Sequence, residues 1–145
     1  MLGTLKDILK PYAPYAPTLL RWVTGIFLLA HGIPKLFHVP IFLDSIAQNI
    51  VGFPLNYIVG IGTLIVENLL AIFLILGFKV RESALFIACW FFGVSFVAHG
   101  ANIIELFNLN SGDDQVKFEY PFLLAVNCLV LAIRGAGRLG FDPED

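Results

Sequence analysis

Four long apolar stretches alternate with short segments that carry most of the prolines and charges. The pattern predicts helices over about residues 18–37, 55–78, 83–102 and 118–134. Each is close to the roughly 20 apolar residues that a helix needs to cross the hydrocarbon core. None alternates apolar and polar residues as a barrel strand does, so helices remain the way to satisfy the backbone in lipid. We therefore predict an all-α integral membrane protein with an antiparallel bundle of four transmembrane helices.

The first 17 residues differ from the rest of the chain in their pattern. Leu2, Leu5, Ile8 and Leu9 alternate with lysines at helical spacing, and prolines follow at positions 11, 14 and 17. This pattern predicts an interfacial segment over residues 1–17 that ends in an extended linker. The transmembrane domain would then cover residues 18–138, and residues 139–145 would form a cytoplasmic tail.

Composition supports the membrane assignment. Of 145 residues, 58% are hydrophobic and 14% charged, whereas soluble domains have about half and about a quarter. The net charge of −2 gives no reason to expect nucleic-acid binding. Cys89 and Cys128 each lie inside an apolar run, and we interpret them as small hydrophobic residues rather than a disulfide or redox pair.

The basic residues indicate the topology. Most of the nine lysines and arginines flank the same ends of the predicted helices: Lys6, Lys10, Arg21, Lys79, Arg81, Arg134 and Arg138. By the positive-inside rule, both termini and the tight turn after the second helix are cytoplasmic. The two longer loops, at 38–54 and 100–117, then face outwards. We expect a multi-pass protein of a bacterial or archaeal cytoplasmic (inner) membrane, in which Arg21 snorkels to the headgroups.

Glu67 lies near the middle of the second predicted helix. It shares one face with Asn56, Gly60 and Thr63, a small and polar stripe that we expect to face the bundle. A carboxyl group at this depth is expensive unless it is protonated or hydrogen-bonded to another helix. A structural hydrogen bond and a role in proton or ligand handling both fit this pattern.

Further polar residues cluster towards the outer ends of the predicted helices. The first helix carries His31 and Lys35 one turn apart, the third carries His99 and Asn102, and the fourth opens with Glu119. In an antiparallel bundle these ends meet, so we predict that His31, Lys35, His99 and Glu119 converge in the outer leaflet above Glu67. Small residues at Gly25 and Gly32 would let a neighbouring helix approach closely.

Several of these motifs resemble the DoxX family of small membrane proteins. The similarity lies in the run from Arg21 to Lys35, in Glu67 followed by Gly77, in His99, in Glu119-Tyr-Pro, and in the tail from Arg134 to Asp142. The resemblance implies a four-helix membrane bundle. The related DoxD-type subunits are associated with thiosulfate:quinone oxidoreductase, and some DoxX proteins with membrane oxidoreductase assemblies.

Several functions are compatible with these features. The first is a quinone-linked redox subunit of thiosulfate/quinone type, with Glu67, His31 and His99 as catalytic proton carriers. Lys35, Glu119 and Asn102 would bind the quinone or an anionic donor, and no metal site is expected. A membrane or periplasmic redox partner subunit would supply electrons. The chain could also form a homo-oligomer.

Three alternatives remain. The chain could be a non-catalytic accessory or scaffold subunit of a membrane complex, which its small size and short loops suit. It could be a small-molecule transporter, which would require oligomerisation. A haem b held between His31 and His99 is the third, and less favoured, reading.

Overall fold

The structure is a computed structural model, and it describes residues 2–100 and 113–142. Six helices follow one another in these two segments, and no strand occurs in them. They are α1 (Leu2–Leu9), α2 (Ala16–Phe37), α3 (Val39–Asn49), α4 (Leu55–Leu76), α5 (Val80–His99) and α6 (Asp113–Arg134). Asn102 lies outside the described residues.

Within the described ranges, three helices are long and apolar enough to cross a membrane. They are Leu5–Phe37, Leu55–Leu76 and Val80–His99. The helix α6 has the same length as α2, 22 residues, but its first turns carry Asp113, Asp114, Lys117 and Glu119, and it is not one of the three. These three helices show that the protein is a helical membrane protein. The helix α6 packs lengthwise against α5, and these two form the most extensive contact between any two described helices.

The hydrophobic core lies between α2, α4, α5 and α6. Its centre contains Leu28, Val66, Leu74, Ile87 and Leu131, each at most 1% exposed. Outward-facing positions of the same helices remain apolar and exposed, as a lipid environment requires. Gly25 and Gly32 let α2 approach α4 closely, because a Cβ on either would collide with Ile75 or Asn68. This agrees with the small-residue face predicted from the sequence.

The N-terminal region differs from its prediction. Residues Lys10–Tyr15 form a 3₁₀ helix that joins α1 directly to α2, so the predicted extended linker is wrong. Pro11 and Pro14 end the α-helical hydrogen bonding without ending the helical path, because a fixed φ near −65° suits a 3₁₀ turn. The side chains from Leu5 to Tyr15 are exposed.

The first long connection is also not a plain loop. It contains α3, which begins at Val39 and has Pro40 in its first turn, where a missing N–H costs nothing because the first N–H groups of a helix have no intrahelical partner. Leu43 and Ile46 of α3 are buried against α4, and a Cβ on Gly60 would lie 2.1 Å from Leu43 Cδ2. The amide of Asn56 donates to the Leu43 carbonyl at 3.4 Å. Thus α3 lies along the first half of α4.

At one end of the bundle, which we call the basic end, arginines bond to backbone carbonyls. Arg21 is fully buried, and its Nε donates to Ala136 O at 2.9 Å while Nη1 donates to Leu74 O at 2.9 Å and to Ile75 O. The predicted snorkelling of Arg21 is therefore wrong. The carbonyls at the end of α4 lack the regular helical donors four residues on; Gly77 N–H bonds to Leu74 O at 3.1 Å, and the guanidinium adds further donors to Leu74 O and Ile75 O.

The segment after α6 closes the same end. Asp142 accepts hydrogen bonds from Lys79 N and Val80 N, both at 2.7 Å, and so caps the first turn of α5. Its own N–H donates to Gly77 O at 2.8 Å. Gly77 has φ +71°, and a Cβ there would lie 2.5 Å from Gly140. A residue without a side chain is therefore needed where α4 turns into α5.

Candidate functional site

Glu67 lies in a π-helical segment of α4. The segment Ile65–Leu70 is flanked by regular α-helix on both sides, and such π turns inside α-helices recur at functional sites. Glu67 as a whole residue is 4% exposed, and Asn56, Gly60 and Thr63 on the same stripe are buried as well. The predicted inward-facing stripe is confirmed. The π segment itself has no signal in the sequence beyond the polar pair Glu67–Asn68.

Lys35 of α2 pairs with Glu67. Its Nζ donates to both carboxylate oxygens, at 2.6 Å to Oε1 and 2.5 Å to Oε2. The Lys35 side chain is 28% exposed and that of Glu67 6%. Because each charge neutralises the other, the pair presents a dipole rather than a free charge to its surroundings.

A cavity of about 400 Å³ lies beside this pair, between α2, α3, α4 and α5. We call this side of the bundle the cavity end. Most of its lining is apolar, and Lys35, Glu67, Thr63 and His99 provide polar groups in the wall. Its volume falls in the range of about 300–1,000 Å³ that is typical of small-molecule sites.

The helix α3 forms the roof of the cavity. Phe42 and Ile46 contribute to the lining, followed by Ile50 and Val51. The Phe42 ring lies over the ammonium group of Lys35, with Nζ 5.1 Å from the ring centroid, so it covers the ion pair on the side of α3. The sequence does carry a signal for these contacts, since Phe42, Leu43 and Ile46 have helical spacing after Pro40.

The other predicted site residues are distributed differently. His99 lines the cavity from the end of α5. His31 is exposed and does not line it, but packs against the Tyr120 ring at 5.0 Å between centroids. Glu119 is exposed on α6 and also does not line the cavity. The described residues therefore place Lys35, Glu67 and His99 around one cavity, whereas His31, which interacts electrostatically with Glu67, and Glu119 lie outside its lining.

Two side chains near the site were not identified from the sequence. The Tyr120 hydroxyl is buried without a hydrogen-bond partner among the described residues, and it interacts electrostatically with Glu67. Trp90 lines the cavity and lies against Gly62, where a Cβ would be 2.2 Å from its ring. Tyr120 is part of the Glu119-Tyr-Pro motif, but the sequence gives neither Tyr120 nor Trp90 a role in the site.

A comparison with protein families identifies the chain. The DoxX family model matches residues 16–100. The chain belongs to the DoxX family. The matched region contains α2 to α5, and with them Lys35, Glu67, His99 and the cavity. No curated protein and no solved structure matches the chain.

The DoxX match ends before α6. Glu119 and Asp142 lie beyond residue 100, whereas His31 lies within the matched region. The ion pair and the cavity are thus features of the DoxX region itself. The closure by Asp142 comes from the part of the chain that follows it.

Proposed function

We propose that this DoxX protein is a quinone-linked redox subunit that binds a quinone ring in the cavity beside Lys35 and Glu67. One observation supports this above the others: an apolar cavity inside the bundle has an ion pair and an imidazole in its wall. A quinone ring needs apolar walls and hydrogen-bond donors for its two oxygens, and these residues offer both.

The charge balance of the site favours a neutral ligand. The charge of Lys35 alone would attract an anionic donor, but the Glu67 carboxylate, 2.5 Å away, neutralises that charge. An anion entering this cavity would lose its hydration without gaining an unpaired cation. A neutral molecule with polar oxygens avoids that cost, so the quinone is favoured over the anionic donor as the occupant of this cavity.

The residues of the wall have distinct roles in the proposal. A bound quinone would accept two electrons and two protons. Lys35 Nζ donates a hydrogen bond to one ring oxygen, and the Lys35–Glu67 pair holds one proton close to that oxygen. His99 holds the second proton on the other wall, and the apolar lining keeps water away.

The electrons come from outside the chain in this proposal. Cys89 is exposed and Cys128 buried, and both are free thiols rather than a redox pair. A membrane or periplasmic partner subunit, or a small reduced sulfur anion such as thiosulfate acting at the outer surface, is the donor.

The proposal includes a membrane orientation. We place α6 across the bilayer as a fourth span, and the basic end in the cytoplasm of a prokaryotic cell by the positive-inside rule. Arg21, Lys79, Arg81 and Arg138 lie near this end, and the cavity is then in the outer half of the bilayer.

Binding of decylubiquinone to purified protein in nanodiscs tests the proposal. The expected result is saturable binding, with Glu67→Gln and His99→Ala each weakening quinone binding or reduction at least about tenfold, equivalent to about 1.4 kcal/mol. The matched controls are Glu82→Gln at the basic end and His38→Ala outside the cavity, both exposed in the structure. These should bind as wild type does.

Unchanged binding and turnover in both cavity variants would overturn the proposal. A stoichiometric partner that co-purifies and works equally well with Glu67→Gln would instead indicate an accessory subunit. A Soret band in the purified protein would support the haem alternative.

A further inference from the structure

The outer halves of α4 and α5 are separated by a gap. The last turns of α4 contact α5, and so does the π segment, but the residues Leu55–Leu64 make no helix-to-helix contact with it. The structure describes every residue of both helices, so the gap comes from the distance between the two helices themselves. Trp90 bridges the two helices at the level of Gly62. Beyond it, Val59 of α4 and Gly93 and Val97 of α5 line the cavity.

The residues around this gap are small or exposed. Gly93 lines the cavity, and a Cβ built on it would have no atom within 4 Å. Val97 also lines the cavity and is 73% exposed, and Ile50 opposite is 40% exposed. Because these side chains would face lipid, the cavity has an opening towards the bilayer. We call it the side opening, formed by Ile50, Val59, Gly93 and Val97.

The other approach to the cavity is covered. Phe42 and Ile46 of α3 form its roof, and Phe42 covers the Lys35 ammonium group. A water-soluble molecule arriving from the outer surface would have to displace this helix, in which Leu43 and Ile46 are buried. Among the described residues, no helix covers the side opening in this way, so a molecule dissolved in the membrane can reach it.

From this arrangement we infer that the cavity binds an amphiphilic ligand that is dissolved in the membrane and enters through the side opening. Its polar head lies at Lys35 and Glu67, and its hydrocarbon chain lies between α4 and α5. The inference rests on the proposed function and deepens it, since it selects a long-chain lipid quinone over a water-soluble ligand. The observation that supports the inference is that the polar wall formed by Lys35 and Glu67 is continuous with the apolar side opening. A phospholipid acyl chain is the competing occupant.

Gly93 permits a direct test. Gly93→Leu projects a side chain into the free space at the opening, and Leu favours a helix over Gly, so the variant should fold. The control is Gly52→Leu, because a Cβ on Gly52 also meets no atom within 4 Å but this residue does not line the cavity. We expect about tenfold weaker decylubiquinone binding in nanodiscs for Gly93→Leu, equivalent to about 1.4 kcal/mol, and wild-type binding for the control.

Chemical labelling of the Cys89 thiol tests the side opening in the absence of any quinone. It lines the cavity and is exposed, whereas Cys128 is fully buried. In phosphatidylcholine vesicles, lipid-soluble N-ethylmaleimide should label Cys89, and a charged thiosulfonate reagent should not. Gly93→Leu should slow the maleimide reaction, and Cys89→Ser should abolish it.

The two measurements separate the two proposals. Equal labelling by the charged reagent, or wild-type quinone binding by Gly93→Leu, would overturn the side opening as the route of access. Maleimide-selective labelling without any quinone binding would retain the opening but overturn the proposed function. A tightly retained phospholipid that decylubiquinone does not displace would identify an acyl chain as the occupant and overturn the quinone inference.

Discussion

At the basic end, charged side chains bond to backbone groups and tie the helices together, whereas at the cavity end the helices separate and the charged side chains bond to each other. Arg21 connects the end of α4 to the segment after α6, and Asp142 caps α5. Lys35 and Glu67 instead form a pair beside a cavity. The same kinds of residue thus tie helices together at one end and, in our proposal, form a binding site at the other.

This contrast has a physical basis. Helix ends leave backbone carbonyls and N–H groups without partners, and a buried charge that bonds to them adds stability directly. An ion pair inside the bundle loses hydration and recovers only part of that loss. Its persistence beside a cavity is therefore better explained by function than by stability.

The largest effect is expected at the basic end. Arg21→Met keeps the apolar stem but removes the donors to Leu74, Ile75 and Ala136, and hydrogen bonds from a charged group contribute about 1.5–3 kcal/mol each. We expect a loss of at least about 3 kcal/mol in the free energy of unfolding. Thermal unfolding in detergent measures it, with the exposed Lys10→Met as control. A melting temperature within about 2 °C of wild type would contradict a stabilising role.

The second effect separates function from stability at the cavity end. Glu67→Gln alone leaves Lys35 without its counter-charge and should lower the melting temperature clearly, by an amount smaller than for Arg21→Met because Lys35 is 28% exposed. Lys35→Met combined with Glu67→Leu removes both charges and should restore wild-type stability while quinone binding stays lost.

A double variant as unstable as the single one would show that the pair is itself structural. In that case, the difference between the two ends would disappear.

The smallest effect concerns the cap of α5. Asp142→Ala removes the carboxylate that accepts hydrogen bonds from Lys79 N and Val80 N. Loss of such a cap lowers the free energy of unfolding by about 0.5–2 kcal/mol. Asp142→Asn retains an acceptor and should cost less. Thermal unfolding again provides the measurement, with Asp7→Ala on the exposed α1 as control. If the cavity end were responsible for stability, Asp142→Ala would leave the melting temperature unchanged.

The helical membrane fold and the inward stripe of α4 could be predicted from the sequence. Length and hydropathy identify spanning helices, and the spacing of Asn56, Gly60, Thr63 and Glu67 identifies one face. The family could be recognised as well, because its motifs occur in order along the chain. These predictions depend on periodicity, which a sequence displays directly.

The parts that could not be predicted depend on contacts between helices. Lys35 lies nearer the end of its helix than Glu67, and the close packing of Gly25 against Ile75 and of Gly32 against Asn68 brings the two helices together for their pair. Arg21 was assigned to the headgroups because sequence position cannot show which carbonyls lack donors. The roof formed by α3 does not follow from the sequence interpretation, in which Pro40 indicates a loop, although a proline in the first turn is compatible with a helix.

The ion pair also bears on how the chain enters the membrane during synthesis. A lone ionisable side chain costs about 2.5–3.5 kcal/mol at the centre of the bilayer, whereas a lysine near a helix end extends its ammonium group to the interface at lower cost. Lys35 lies in the last turn of α2, and Glu67 lies near the middle of α4. We therefore expect α2 to enter the lipid first and α4 to follow beside it, where Lys35 supplies the counter-charge for Glu67.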